Sequence, residues 1–382
     1  ISTVRTYLRA VAKIQNVSEI PIVVSTGFAV LRAKQADPRY IYRAVQSNPF
    51  IEEVVARSTG VSYPAINPTT LGTIPIPLPP LPTQRAIADF LDRETTRIDQ
   101  LVEKKQQLVE LLGEKQKADV RQLVTGQVYP ELGHSRLTNK SCFNGKIEFE
   151  RIQRTSSKWE CFRIKHFATV YGGGTPSKNT PEFWMHGDVP WVSPKDMKAQ
   201  IIEDTIDKIT TDAISQSATS YVPKGAVIMV VRSGILRRTI PVSISGIRLT
   251  LNQDLKAFVL SHRILPLFLL HWIESQCEDL LLEWRQIGAT VESIEIPRMM
   301  NAWIALPEIE EQRTILKSID LRFAKYSLLA EKTKASITRL REFRSALITA
   351  AVTGQIDVDD WSRRDGSDAK LDAIAQELEV RA

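Results

Sequence analysis

The chain has 382 residues, 43% hydrophobic and 25% charged, enough to build more than one core, since single cores stop growing before this length. Lysine and arginine outnumber aspartate and glutamate by 50 to 44, and the net charge of +6 suits a polyanionic partner without requiring one. No apolar run reaches the ~18 residues of a membrane span and no signal peptide opens the chain. Cys142, Cys161 and Cys277 form neither a CxxC pair nor a His-associated cluster, so the sequence implies no disulfide framework and no zinc site, and fits a reducing cytoplasm.

Residues 1–79 read as part of a first domain, closing on the proline-rich strand Ile74-Pro75-Ile76-Pro77-Leu78-Pro79. A long helix and linker occupy 80–157. From Arg85 to Val124, Ile87, Leu91, Ile98, Leu101, Leu108 and Leu112 share the a and d positions of one heptad frame, broken by Glu94 and Lys105. Residues 158–306 alternate β-rich runs such as Gly225 to Val231 with helical runs such as Leu265 to Arg285, the pattern of an α+β domain. A second long helix fills 307–355, with Ile315, Ile319, Tyr326, Leu329, Leu340, Phe343 and Leu347 in the matching frame, interrupted by Arg322, Thr333 and Ser336; a tail, 356–382, follows. About 40 residues at 1.5 Å each make a rod of roughly 60 Å, whose narrow apolar stripe cannot be buried in its own globule. The two rods are therefore expected to pack antiparallel against each other, each stopping at a Thr-Gly where glycine takes a left-handed cap. The alternative is that each is an ordinary core helix.

An internal repeat ties these elements together. Gln84-Arg85 and Gln312-Arg313 each follow a strand ending in proline, and 312 − 84 = 228. The same offset sets Val124-Thr125-Gly126-Gln127 on Val352-Thr353-Gly354-Gln355, and Arg57 and Gly60 on Arg285 and Gly288. A register held without a gap over that span indicates two copies of one structural unit. Counting back from Trp159 gives 159 − 228 = −69, so the N-terminal part of the first domain is expected to be absent from this sequence.

The stretch Ser58-Thr59-Gly60-Val61-Ser62-Tyr63-Pro64-Ala65-Ile66-Asn67, then the proline-rich strand, then Gln84-Arg85-Ala86-Ile87-Ala88-Asp89-Phe90-Leu91-Asp92, resembles the junction between a target-recognition domain and the long helix in type I restriction-modification specificity subunits. The second domain adds Gly173-Gly174-Thr175-Pro176-Ser177, Trp191-Val192-Ser193-Pro194-Lys195-Asp196-Met197 and Asn252-Gln253-Asp254, while the second junction, Gly288 to Glu292, departs further from the pattern. The resemblance covers nearly the whole chain apart from the tail. It implies an α+β protein with two target-recognition domains, the first N-terminally incomplete, separated by a pair of long antiparallel helices. Each domain would read one half of a bipartite DNA target. Two modification (methyltransferase) subunits would dock, hold S-adenosylmethionine and methylate adenine, and nuclease/translocase subunits would join them; this chain would bind no cofactor itself.

Base edges and phosphates are contacted by Arg, Lys, Asn, Gln, Ser and Thr on held loops. In the second domain the candidates are Thr175, Ser177, Lys178, Ser193, Lys195, Arg232, Ser233, Arg237 and Arg238. In the first they are Ser58, Thr59, Ser62, Tyr63 and Asn67, with Gln286, Thr290 and Glu295 among their repeat counterparts. Solvated loop positions are the plain alternative for each. Phe90 and Phe323 lie off the a/d stripe, where they would anchor partner subunits or pack on their own domains.

Three features resemble enzyme motifs without completing them. Asn48-Pro49-Phe50 is similar to the Asn-Pro-Pro-aromatic motif of adenine methyltransferases, but the second proline and a Gly-rich cofactor loop are missing, and the pair reads as a helix end. Gly172-Gly173-Gly174-Thr175-Pro176-Ser177-Lys178 is similar to a phosphate loop, yet no glycine directly precedes the lysine, and it reads as a flexible loop. His134, His166, His186, His262 and His271 show no ligand spacing or paired nucleophile. The expectation is a non-catalytic DNA-specificity subunit; a coiled-coil scaffold that binds only protein is the alternative.

Overall fold

The computed structural model describes residues 1–14, 22–127, 137–138, 155–156, 158–286 and 290–363. It divides into two units, Ile1–Leu112 with Ser327–Ala382, and Gly113–Tyr326. The units divide within the long helices, between Leu112 and Gly113 and between Tyr326 and Ser327. Gly288, His134 and Cys142 lie outside the described residues.

In the first unit, α1 (Pro38–Ala44), α2 (Asn48–Ala56) and α3 (Pro68–Leu71) precede α4 (Leu81–Val124). All three short helices carry proline in the first turn, where a missing N–H leaves nothing unsatisfied. Asp37 caps α1 by accepting from the Arg39 and Tyr40 amides, and Asn67 caps α3 through the Thr69 amide. Asn48-Pro49 thus opens a helix, which corrects the expectation that it ends one.

After the end of α4, the second unit continues with the paired strands β1 (Leu137–Thr138) and β2 (Thr155–Ser156), then β3 (Glu160–Arg163), β4 (Ala168–Gly172), β5 (Val189–Val192), β6 (Ile201–Ile202) and β7 (Asp207–Ile209). After α5 (Thr211–Ser215) come β8 (Tyr221–Val222), β9 (Val227–Val230), β10 (Val242–Ser245), β11 (Leu249–Leu251) and β12 (Leu255–Leu260). Then follow α6 (Pro266–Ser275), α7 (Cys277–Trp284), α8 (Ile296–Asn301), β13 (Trp303–Leu306) and α9 (Ile309–Val352). The strands form a sheet in the order β4-β12-β9-β10-β6, a second in the order β7-β5-β11-β8, and the pair β13-β3. β9, within the run read from sequence as β-rich, is buried at all four residues. Trp159, Phe268, Trp272, Trp284, Ile304 and Ile315 belong to the core that joins sheet, α6, α7 and the start of α9.

Both long helices have 44 residues, and their first residues differ by 309 − 81 = 228. Each ends in the same cap. Gly126 (φ 68°) donates to the Leu123 carbonyl and Gln127 to that of Gln122, while Gly354 (φ 75°) and Gln355 repeat the pair on Ala351 and Ala350. Within the first unit the helices run antiparallel. Arg344 forks onto both carboxylate oxygens of Asp99 at 2.9 and 3.1 Å, while residues 103–110 of α4 share a groove with 334–341 of α9. Ile87, Leu91 and Ile98 pack there with Leu340, Leu347 and Val352. Within the second unit Asp119 of α4, 4% exposed, accepts from Arg322 (2.9 Å) and Tyr326 (2.6 Å) of α9 and pairs with Lys115.

The stripe does not hold throughout. Leu108 and Leu329, expected on it, are 40% and 42% exposed, while the expected interruptions Thr333 and Ser336 are 6% and 0% exposed. A straight helix drifts about 20° per heptad from a 3.5-residue repeat, so a strict seven-residue frame leaves the contact.

The repeat is a repeat of hydrogen bonds. Gln84 accepts from the Asp37 amide (2.9 Å) and donates to the Pro79 carbonyl (2.6 Å); Gln312 accepts from the Leu265 amide (2.8 Å) and donates to the Pro307 carbonyl (3.0 Å), every partner shifted by 228. Ile66 N–H bonds to Thr3 O as Ile294 N–H bonds to Val231 O, and the bridge between Val4 and Ala65 recurs between Arg232 and Ser293.

Candidate nucleic-acid interface

In the second unit β5 and β11 are parallel, with Trp191 opposite Thr250 and Val192 opposite Leu251, so the chain leaves both strands at the same end. There the Gly174 amide bonds to Leu251 O and the Asn252 amide to Val192 O, both at 2.9 Å. The glycine loop is fixed by its surroundings. A Cβ on Gly173 would fall on the Asn252 carbonyl, and one on Gly174 would lie 2.8 Å from the Ala218 backbone. This corrects the expectation of a flexible loop: glycine is needed because backbone approaches backbone.

Three stretches meet at this rim. Thr175 donates its hydroxyl to Gln253, an exposed side chain. Arg232 Nε donates to Asp254 at 2.8 Å, and the Val231 and Arg232 amides donate to Asp254 O. Ser193 is 5% exposed and turned inward, its amide and hydroxyl both on Asp196, whereas Lys195 beside it is exposed. Ser177 and Lys178 are exposed further along the glycine loop. Trp191 is buried with its indole N–H on Gly174 O, and Trp184 packs edge-on to it at 5.0 Å.

A second group surrounds Glu292. Ser233 caps a 3-10 turn, Gly234–Arg237, and donates its amide to Glu292 O. The Glu292 carboxylate accepts from Arg237 Nε at 3.3 Å and from Arg285 Nη2 at 2.5 Å, and Arg238 is exposed at the end of the turn.

In the first unit, Thr59 and Ala65 exchange backbone bonds across a turn that carries exposed Ser62 and Tyr63. Arg5, at φ 50°, stands over the Tyr63 ring at 4.8 Å. Ser58 donates to Val54 O and pairs with the Thr6 hydroxyl, and Asn67 caps α3.

Phe90 is 3% exposed, edge-on to Trp361 of α10 (Val358–Arg363), and Phe323 packs edge-on to buried His271 at 5.8 Å. Phe90 is thus buried within its own unit, and Phe323 is half-buried. Gln253, Asp254, Arg285, Glu292 and Arg5 were missed as site residues. Asn252-Gln253-Asp254 carried a signal in the resemblance, and Arg285 one in the repeat.

Among the described residues no three His, Cys, Asp or Glu side chains are grouped to hold a metal ion, and no helix is long and apolar enough to cross a membrane. Burial pushes the Cys277 thiol up from its ordinary pKa, leaving it a poor nucleophile. The arrangement presents held arginines, hydroxyls and amides on fixed loops, the chemistry of a nucleic-acid reader.

A frame repeated at 228 residues, with polar and basic loops on each copy and two long helices, defines the class by its architecture. The chain belongs to the type I restriction modification DNA specificity domain family, whose profile matches residues 10–111 and 156–339. It is 37% identical over 174 residues to the type I restriction enzyme EcoR124I/EcoR124II specificity subunit of Escherichia coli, a match covering 46% of this chain and 42% of that protein. The Escherichia coli EcoBI specificity subunit is 21% identical over 330 residues, 83% of this chain and 65% of that protein. The chain therefore spans less than two thirds of the length of these relatives. A solved structure described as the "Structural basis underlying complex assembly and conformational transition of the type I R-M system" has the same fold, with a TM-score of 0.55, 20% identity, and coverage of 86% of this chain and 74% of that one.

Proposed function

We propose that the chain is the DNA-reading, non-catalytic subunit of a type I restriction-modification assembly, working in the cytoplasm on double-stranded DNA. The observation that carries this is the hydrogen-bonded frame repeated at 228 residues, from Thr3 and Val231 to Gly126 and Gly354, with polar or basic loops on each copy. Two such frames suit a target of two half-sites, each read by its own loops. Two modification subunits supply S-adenosylmethionine and methylate adenine, and nuclease/translocase subunits join them. Thr175, Ser177, Lys178, Ser193, Lys195, Arg232, Ser233, Arg237 and Arg238 serve the second half-site, and Ser58, Thr59, Ser62, Tyr63 and Asn67 the first. Ser193 acts there by holding its loop on Asp196.

The test exchanges residues 158–306 for those of a relative, co-expresses the chain with its modification partner, and maps methylated adenines. One half of the target should change and the other persist. A change in both halves, or methyl transfer by the isolated chain, refutes the reading. A chain that assembles with partners yet shifts no duplex is instead a protein-binding scaffold.

A further inference from the structure

Two arginines recur at matching places in both units. Arg237 closes the turn Gly234–Arg237 and Arg285 caps α7; counted back by 228 they are Arg9, which caps the turn Thr6–Leu8, and Arg57, which caps α2. In the second unit Glu292 draws the two guanidinium groups together on one carboxylate oxygen. Its side chain is 12% exposed, whereas those of Arg237 and Arg285 are 74% and 53% exposed. One carboxylate against two guanidinium groups leaves a net positive charge. Among the described residues, both Nη groups of Arg237, and Nε and Nη1 of Arg285, have no hydrogen-bond partner. In the first unit the same two segments touch through the Thr6 and Ser58 hydroxyls at 2.8 Å, with Arg9 donating to Asn48 and Arg57 to Glu53.

We infer that Arg237 and Arg285, held side by side by Glu292, form a clamp for the DNA phosphodiester backbone, and that Arg9 and Arg57 form its counterpart in the first unit. The inference rests on the DNA-reading function proposed above. Residues that read different half-sites must differ between the units, whereas the same residue type at the same repeat position suits what both half-sites share, the phosphates. Guanidinium forks match phosphate oxygens bidentately, and a carboxylate behind them fixes their orientation before DNA arrives. Glu292 is a positioning residue, since it touches the arginines and not the DNA.

The experiment measures affinity of the full chain with its modification partner for a target duplex and a random-sequence duplex across a salt series. Counterion release predicts that log K against log salt becomes shallower by about 0.9 for each lost contact, so by about 1.8 for R237A/R285A. Affinity should fall equally on both duplexes, with the methylated sequence unchanged, and R237K/R285K should restore the slope. R9A/R57A should give the same signature independently. An unchanged slope with wild-type affinity overturns the clamp while leaving DNA reading intact, as does a loss confined to one base position. If the wild-type complex binds neither duplex, the DNA-reading function itself fails, and the clamp with it.

Discussion

Gln312 is the most demanding test of the repeated frame, because it is 0% exposed and its amide makes three hydrogen bonds: it accepts from the Leu265 amide and donates to Arg263 O and Pro307 O at 2.8 to 3.0 Å. In Gln312→Met the volume is nearly kept, so the cavity contribution is small, and what is lost is polar. Arg263 is exposed and its carbonyl can turn to water. The Leu265 amide and the buried Pro307 carbonyl cannot both do so, and two buried groups left unpaired cost about 2 to 5 kcal/mol. At roughly 2 to 4 °C per kcal/mol for a unit of this size, that is a fall of about 4 to 20 °C in Tm. Every tryptophan except Trp361 lies in the second unit, so the intrinsic fluorescence transition reports on the unit that holds this bond network. Gln84→Met, with two bonds in place of three, should cost about 1 to 3 kcal/mol and leave that transition nearly unmoved. A Gln312→Met chain within about 0.5 kcal/mol of wild type, inside the scatter of surface substitutions, would refute the reasoning.

Gly173→Ala should displace the glycine loop or prevent folding, at a cost above about 4 kcal/mol, whereas Gly234→Ala, with nothing within 4 Å of the added carbon, should lose less than about 1; urea melts of both separate a packing role from a flexible one. Phe90→Ala should cost about 3 to 5 kcal/mol in denaturation of the chain alone, and a stable variant that merely lost a partner subunit would show that the ring is not core. Burial pushes the Asp119 carboxyl up, but hydrogen bonds from Tyr326, Lys115 and Arg322 outweigh it and hold its pKa below 3.8. Its contribution is therefore complete above the unfolded value and is lost as pH falls through the folded one, so the urea midpoints of wild type and Asp119→Asn should differ at pH 7 and converge below about pH 4. A difference that persists undiminished in acid would show that charge is not what Asp119 contributes.

Much of the fold was legible because it repeats. Gln84-Arg85 and Gln312-Arg313 stood out in the sequence at a fixed offset, and the structure supplies the cause, a glutamine that ties a proline carbonyl to a helix start in both copies, although only Pro307 follows a strand and the run 74–79, expected as one, pairs with no strand. The Thr-Gly helix ends were legible because few residues other than glycine adopt the left-handed cap. Phe90 was not, because heptad position reports only the face toward the other helix, while α10 covers Phe90 from elsewhere. Nor was the Glu292 site. Arg237 and Glu292 are 55 residues apart, and no local periodicity joins them. The loops that carry candidate contacts have no period at all, so sequence gave residue types there, and only the ends of β5 and β11 brought three of the stretches together.

The polar contacts between the long helices behave differently from the frame around them. Shifted by 228, Asp99 becomes Ser327 and Asp119 becomes Leu347; shifted back, Arg322 becomes Glu94 and Arg344 becomes Gln116. Neither ion pair between α4 and α9 therefore has a repeat counterpart. Glu94, where the partner of Asp119 would recur as its charge opposite, is 3% exposed and turned onto Arg93 and Arg97 of its own helix. Two apolar stripes in one heptad frame can meet in more than one register, since a heptad slip keeps the frame. A buried charge left without its partner costs several kcal/mol, so single-copy polar contacts specify one register where the duplicated stripe does not. The 228-residue repeat thus accounts for the shared frame of the two units, whereas the polar contacts between α4 and α9 lie in residues the repeat does not contain.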